Sequence, residues 1–279
     1  MLARLLVEPI VRAALLEDIG RGGDLTTDAI VPPDARAKAR IVAREAGVVA
    51  GLGAARLAFE LLDPQARFDI EIPDGERVQP GESAAAIECS ARALLTGERT
   101  ALNLLCRLSG IASATRSLVD LITEYPAHVV CTRKTTPGLR VLEKYAVRCG
   151  GGSYHRFGLD DAVLINDNHL ALAGSIRAAV DAVRENVGHM VKVEIEVDTI
   201  EQLREALETR VDAVLLDNMT PEQLTQAVRL VGGRVLTEAS GTITAQRIVD
   251  IARSGVDLIS SGWITHSAPA LDFGLDVEV

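Results

Sequence analysis

Two cations, Arg133 and Lys134, stand side by side directly after the apolar run HVVC, inside the segment TRKTTPGLR (132–140). A second pair, His155-Arg156, follows three glycines in GGGSYHRFGLDD (150–161). Either pair alone reads equally well as a solvated loop end. Together they can hold a di- or polyanion, because guanidinium groups grip carboxylates with two parallel hydrogen bonds. The glycines let backbone approach a ligand closely or adopt positive φ. Acids come next. In VKVEIEV (191–197), strand alternation puts Lys192, Glu194 and Glu196 on one face and Val193, Ile195 and Val197 on the other. Asp217 closes the following run, DAVLLD. Carboxylates turned inward are unfavourable unless paired or metal-bound. Two readings are open: an ion pair with Lys192, or a magnesium position built from one or two carboxylates plus substrate phosphate oxygens and water. Finally, two small-residue loops, EASGTIT (238–244) and SSGWITH (260–266), each lie between a strand and an expected helix, where backbone N–H groups can cradle phosphate. Gly241 alone could equally be a turn residue.

These residues need a scaffold, and the pattern along the chain supplies one. Before about residue 110 the signals are mixed. A helix is expected at 3–18, then a loop through IGRGGDLTTD. One or two strands follow in AKARIVAREAGVVAG with Gly47 in a turn, then a helix at 53–62. Short strands and the turns Asp74-Gly75 and Pro80-Gly81 precede a long helix over 91–122, where apolar residues recur at helical spacing. After residue 125 six β-rich runs (128–132, 162–166, 191–197, 212–217, 234–239 and 257–262) alternate with amphipathic helices near 138–149, 175–186, 199–209, 221–231 and 244–254. Such alternation indicates parallel βα units. The last strand ends are about twenty residues apart, which favours a (β/α) barrel, complete or not. Polar residues sit where these strands end, the place where barrel active sites lie. The expected division is 1–110, then a barrel over 111–269, with the tail 270–279 returning as a strand to the first domain.

With 279 residues and about half of them apolar, the chain can bury a core without staples. The formal charge of −10 argues against nucleic-acid or membrane-surface partners, which want a basic face. No run approaches the roughly 18 apolar residues of a membrane helix. The N-terminal stretch, interrupted by Glu8, Arg12 and Glu17, reads as an amphipathic helix and not a cleavable leader. Cys89, Cys106, Cys131 and Cys149 form no metal-ligand spacing and read as reduced thiols of a cytoplasmic protein. No Walker loop, Ser-His-Asp arrangement or dinucleotide fingerprint follows a strand.

Taken in order, GDLTT (23–27), ERTALN (98–103), TRKTTPGLR, GGGSYHRFGLDDAVLINDNH (150–169), EIEV (194–197), LLDN (215–218), ASGTI (239–243) and SGW (261–263) resemble the quinolinate phosphoribosyltransferases. The resemblance implies an α/β fold: an N-terminal α/β sandwich domain plus an open, incomplete (β/α) barrel. It implies transfer of phosphoribosyl from phosphoribosyl pyrophosphate to quinolinate with loss of CO2, giving nicotinate mononucleotide and pyrophosphate for NAD synthesis, with Mg2+ as cofactor. It implies a homodimer with shared active sites, open to further assembly, in which the first domain of one subunit caps the barrel of the other and Arg99 reaches across.

By the same resemblance Arg99, Thr132, Arg133, Lys134, His155 and Arg156 hold quinolinate. Asn166, Glu196, Asp217, Ser240, Gly241, Thr242, Ser261, Gly262, Trp263 and His266 hold phosphoribosyl pyrophosphate. Lys134, Glu196 and Asp217 carry the catalysis, and Glu196 and Asp217 hold the metal directly or through water and substrate. One position departs from the family pattern: LINDNH stands where LIKDNH is usual, so Asn166 replaces a lysine expected at the pyrophosphate. Two rivals remain. One is a pyrophosphorylase-like relative associated with molybdenum transport; the other is a phosphate-binding barrel without turnover.

Overall fold

A computed structural model describes residues 2–278, and the chain packs as two compact units. The first comprises residues 1–116, 135–151 and 264–279; the second comprises 117–134 and 152–263. In chain order the elements are α1 (Arg4–Ile19), α2 (Leu25–Ile30), β1 (Arg36–Ala43), β2 (Gly47–Val48), α3 (Leu52–Leu62), β3 (Arg67–Ile70), β4 (Arg77–Val78), β5 (Ser83–Ser90) and α4 (Ala91–Leu121). Then come β6 (His128–Val130), α5 (Arg140–Cys149), β7 (Val163–Ile165), α6 (Asp167–Ala173), α7 (Ile176–Asn186), β8 (Val193–Val197), α8 (Ile200–Leu207), β9 (Ala213–Asp217), α9 (Pro221–Val231), β10 (Leu236–Ser240), α10 (Ile248–Arg253), β11 (Leu258–Ser260), α11 (Trp263–His266) and β12 (Phe273–Glu278).

In the first unit an antiparallel sheet runs β12-β1-β5-β3. Alternation along β1 and β5 turns Ala39, Ile41, Ala43, Ala85, Ile87 and Cys89 to the buried side, and the tail pairs Ile41 with Leu275. The interior of α4 is buried through Leu94, Leu105, Leu108 and Ile111, and Gly110 is small for a reason. A Cβ there would stand 1.9 Å from the Pro269 carbonyl oxygen. Helix α5 joins this unit through Glu143, which is fully buried. Its carboxylate accepts from Arg107 Nη2 at 2.9 Å, from the Thr136 amide at 3.0 Å and from the Thr136 hydroxyl at 2.8 Å. Enough donors thus offset the desolvation of the buried charge, and they hold the TTPG turn in shape. That packing is why residues 135–151 group with the first unit, although the boundary expected from chain order lay near residue 110.

Two local expectations change here. The loop expected after α1 contains α2, capped by Asp24, whose carboxylate accepts from the Thr27 amide at 3.0 Å and the Thr96 hydroxyl at 3.0 Å. Six residues are too few for a periodic signal, and a tertiary bond completes the cap. Gly47, expected in a turn, lies in β2 opposite Val78.

The second unit is a single parallel sheet in the order β6-β11-β10-β9-β8-β7. Beyond β6 it is extended only by a bridge from Val130 to Ser153, and among the described residues no ladder joins β7 to β6. The barrel is therefore open. Val193, Ile195 and Val197 on β8 and Val214 and Leu216 on β9 are buried, as are Leu203 of α8 and Leu224 and Ala227 of α9. Helices α7, α8 and α9 start where their caps dictate. Thr199 with Gln202 and Thr220 with Gln223 form capping boxes, and Ser175 caps α7. The helix expected from 244 begins only at Ile248, since Thr244–Arg247 form a turn with no side-chain cap.

Candidate functional site

The acids collect where β8 and β9 end. Glu196, Asp198 and Asp217 bring carboxylate oxygens within 4.8 Å of one another. Burial, followed by the charges of Asp217, Asp167 and Asp198, pushes the Glu196 carboxyl up to about 7, while Lys134 pulls the other way. Carboxylates this close repel, and a bound divalent cation or a proton relieves that. All-oxygen donors suit a hard ion such as Mg2+. The alternative pairing with Lys192 is absent: its ammonium meets Asp212 at 3.0 Å, a carboxylate also held by Arg184 at 2.6 Å and by the Val193 amide at 2.8 Å. Against burial, these partners hold Asp212 down to about 2. Lys192 thus ties down the start of β8, and Glu196 at its end faces other acids.

The cations gather beside them. Burial and then the charge of Arg133 lower the Arg156 pKa, so the two guanidinium groups are close enough to repel. Two like charges held together in a partly buried place form a receptor for an anion. The backbone after Arg156 is shaped by Asp161, which accepts from the amides of Phe157 at 2.6 Å and Gly158 at 2.8 Å. Arg156 Nη1 donates to the Ala162 carbonyl at 3.2 Å. Thr132 has a local role as well, its hydroxyl accepting from the Lys134 amide at 3.0 Å. The His155 ring turns inward: Nε2 lies 2.9 Å from Glu194 and 3.8 Å from Glu238.

At the ends of β10 and β11 lie the small-residue loops. Gly241 has φ of 122°, and a Cβ there would stand 2.5 Å from Asn218 Oδ1, so this position requires glycine. Ser240 pairs in register with Asp217. The Ser261 amide is spent on the Val130 carbonyl at 3.0 Å, which removes it as a phosphate donor. Helices α10 and α11 have six and four residues, too short for the helix-terminus phosphate cradle the loops suggested. Asn166 is the cap of α6: its side chain accepts from the His169 amide at 3.3 Å, and its own amide donates to His169 Nδ1 at 3.1 Å. Arg99, exposed on α4, and His266, whose Nδ1 meets the Ser267 hydroxyl at 2.5 Å, belong to the first compact unit; the other expected site residues belong to the second.

Glu194, Glu238 and Asp198 were not among the expected site residues, although the structure brings them to it. Period-two alternation carries the signal for the first two. Glu194 is in phase with Glu196, and Glu238 is in phase with Ser240.

The matches to known proteins agree with this geometry. Residues 24–109 match the N-terminal domain model, and residues 111–276 the C-terminal domain model, of quinolinate phosphoribosyl transferase. The chain belongs to the quinolinate phosphoribosyltransferase family. It is 44% identical over 276 residues to the Synechocystis sp. protein named probable nicotinate-nucleotide pyrophosphorylase (carboxylating), covering 98% of this chain and 93% of that one. The solved structure of NadC from Streptococcus pyogenes matches with a TM-score of 0.95 at 41% identity, covering 100% of this chain and 99% of that chain. The nicotinate-nucleotide pyrophosphorylase structure from Francisella tularensis matches with a TM-score of 0.94 at 38% identity, covering 100% and 98%. As a family member the chain is a phosphoribosyltransferase with an N-terminal sheet domain and a parallel α/β domain.

Proposed function

We propose that this enzyme transfers the phosphoribosyl group of phosphoribosyl pyrophosphate to quinolinate and releases pyrophosphate and CO2, yielding nicotinate mononucleotide for NAD synthesis. One observation carries the reading. Adjacent residues of a single loop act on two charged places: the charge of Arg133 lowers the Arg156 pKa, and that of Lys134 opposes the rise of the Glu196 carboxyl. Arg133 and Arg156 suit the two ring carboxylates of a pyridine dicarboxylate. Glu196 and Asp217 suit the ribose hydroxyls and the metal-bound pyrophosphate, with Lys134 between the two substrates.

The chemistry follows from that placement. The ring nitrogen attacks the anomeric carbon as the bond to pyrophosphate breaks, and positive charge builds on the sugar. In this reading Glu196 and Asp217 favour that charge, and Lys134 favours the departing negative charge. Mg2+, which the Glu196–Asp198–Asp217 oxygens fit, supplies neutralisation of the leaving group when bound. The product nitrogen is a pyridinium, so the electron pair left by the adjacent carboxylate as CO2 departs is stabilised before protonation. The protein's main task is to hold two anions together, and several charge-assisted contacts of roughly 1.5–3 kcal/mol each offset their repulsion.

We also infer a homodimer with Arg99 completing the partner's site. Exposed apolar side chains on α1 and α2 support it: Leu5 is 88% exposed and Leu25 76%. Large apolar side chains that a dimer would cover are consistent with that surface being an interface. Among the described residues no helix is long and apolar enough to cross a membrane. The test is direct: incubate the protein with quinolinate, phosphoribosyl pyrophosphate and Mg2+ and look for nicotinate mononucleotide. Product is expected; none at high enzyme concentration would overturn the assignment in favour of a barrel without turnover.

A further inference from the structure

Two acids in the barrel interior have no role in the scheme above, and both lie beside His155. Glu194 projects from β8 and Glu238 from β10, and both reach the same imidazole nitrogen. His155 Nε2 is 2.9 Å from Glu194 Oε2 and 3.8 Å from Glu238 Oε1. On the other side of the ring the backbone amide of Arg156 points at Nδ1 from 2.7 Å. A backbone N–H can only donate, so Nδ1 must accept, and the ring proton of neutral His155 is then on Nε2. Nε2–H donates to Glu194. Glu238 is 2% exposed, and its Oε1 has no hydrogen-bond partner. Burial, then the Glu194 charge, push the Glu238 carboxyl up, as expected when two carboxylates share one dry place. At 2.9 Å against 3.8 Å, Glu194 and not Glu238 is within hydrogen-bond reach of Nε2–H.

The same geometry argues against a metal at this trio. Its ligand atoms lie within 4.8 Å of one another. A cation would need the Nε2 lone pair, however, and that would force the proton onto Nδ1, against the Arg156 amide.

We infer that Glu194 and Glu238 are positioning residues. They fix His155 as its Nε2–H tautomer and thereby fix the backbone of Arg156, so that His155 acts on the dicarboxylate by holding the adjacent guanidinium in place. The inference rests on the proposed substrate for its kinetic part and on the geometry alone for its tautomer part. The function of the pair is a steric and hydrogen-bonding one: Glu194 sets the ring orientation, and Glu238 closes the cavity behind it without competing for the proton.

Two measurements test it. The first is the nitrogen-15 spectrum of the histidine rings in the substrate-free protein at neutral pH. The chain has five histidines, and the His155 signal is the one lost in His155→Gln. The neutral Nε2–H pattern is expected. An Nδ1–H pattern or a doubly protonated ring overturns the proposal. The second is steady-state kinetics of Glu194→Ala, Glu194→Gln, Glu238→Ala and Glu238→Gln. Loss of a charge-assisted acceptor in Glu194→Ala should raise KM for quinolinate about tenfold or more, with KM for phosphoribosyl pyrophosphate within about twofold. Glu194→Gln should recover most of the loss, since its amide oxygen still accepts from Nε2–H. Glu238→Ala, which empties the space behind the ring, should raise the same KM for quinolinate, and Glu238→Gln, an isostere, should recover most of that loss. Parallel rises in both KM values, with no rescue by Gln, would mean a merely structural role and overturn the proposal. A wild-type protein that makes no nicotinate mononucleotide overturns the substrate assignment, and the tautomer spectrum still decides this inference.

Discussion

Glu196 is held in an unfavourable charge state, and removing that charge should strengthen the fold while slowing turnover. In the folded chain burial and the charges of Asp217, Asp167 and Asp198 lift its carboxyl from the ordinary 4.5 to about 7. At about 1.36 kcal/mol per pH unit that rise corresponds to roughly 3 kcal/mol. The group is partly exposed, and solvent screening reduces the figure to ~1–2 kcal/mol. The sign follows from proton binding. Between about pH 4.5 and 7 the folded state keeps a proton that the unfolded state has lost, so stability falls as pH rises through this window. The penalty is complete above it. Glu196→Gln keeps the shape and removes the charge. In substrate-free protein treated with chelator, this variant should melt about 2–6 °C above wild type near pH 8, and the gap should close as pH falls to about 4.5. Turnover should drop by about two to three orders of magnitude, as when a group aimed at developing charge is lost. Equal melting temperatures at both pH values would show that the carboxylate is not repelled and would refute the account of the acid cluster. Full activity in the variant would refute its proposed role.

Other perturbations probe the remaining parts. Asn166→Lys should lower the KM for phosphoribosyl pyrophosphate, while loss of the cap on α6 destabilises the protein by ~1 kcal/mol in urea melts; an unchanged KM would show that other groups already supply the charge. Arg99→Ala mixed with Arg133→Ala should regain part of the wild-type rate through hybrid dimers, and a mixture as inactive as its parents would rule out a shared site. Gly241→Ala should destabilise by ~1–3 kcal/mol, because φ is 122° there and the methyl group would meet Asn218 Oδ1 at 2.5 Å; a neutral effect in denaturant would mean that this loop can relax.

Much of the second unit can be read from residue order because its rules are local. Period-two runs such as VEIEV place Val193, Ile195 and Val197 on the buried side and Glu194 and Glu196 on the other, as the burial pattern shows. Thr199 and Thr220 carry capping boxes that start their helices on cue. What escaped the reading is tertiary. The six-residue α2 depends on a bond from Thr96 to Asp24 across 72 positions. Nothing in LTTDAI announces it. Lys192 alternates in phase with the glutamates, yet its partner is Asp212, just before the neighbouring strand β9, a choice made by where each end of β8 lies. Glu143 looks like an ordinary helix residue in RVLEKY and is fully buried, because Arg107 and Thr136 reach it from elsewhere in the chain.

The two inward acids of β8 show how one pattern yields two functions. Glu194 and Glu196 are two residues apart on the same strand face, and their environments separate them. Glu194 meets a histidine whose proton it accepts, with buried Glu238 alongside. Glu196, one step nearer the strand end, meets Asp198 and Asp217 at close range, with the charge of Lys134 opposing theirs. A carboxylate with a built-in donor is satisfied and can position its neighbours. One surrounded by like charge is unsatisfied, which suits it to the proposed cation and anionic substrate. Alternation explains why both point inward; the height of each along the strand explains why the proposed scheme gives one a positioning role and the other a ligand.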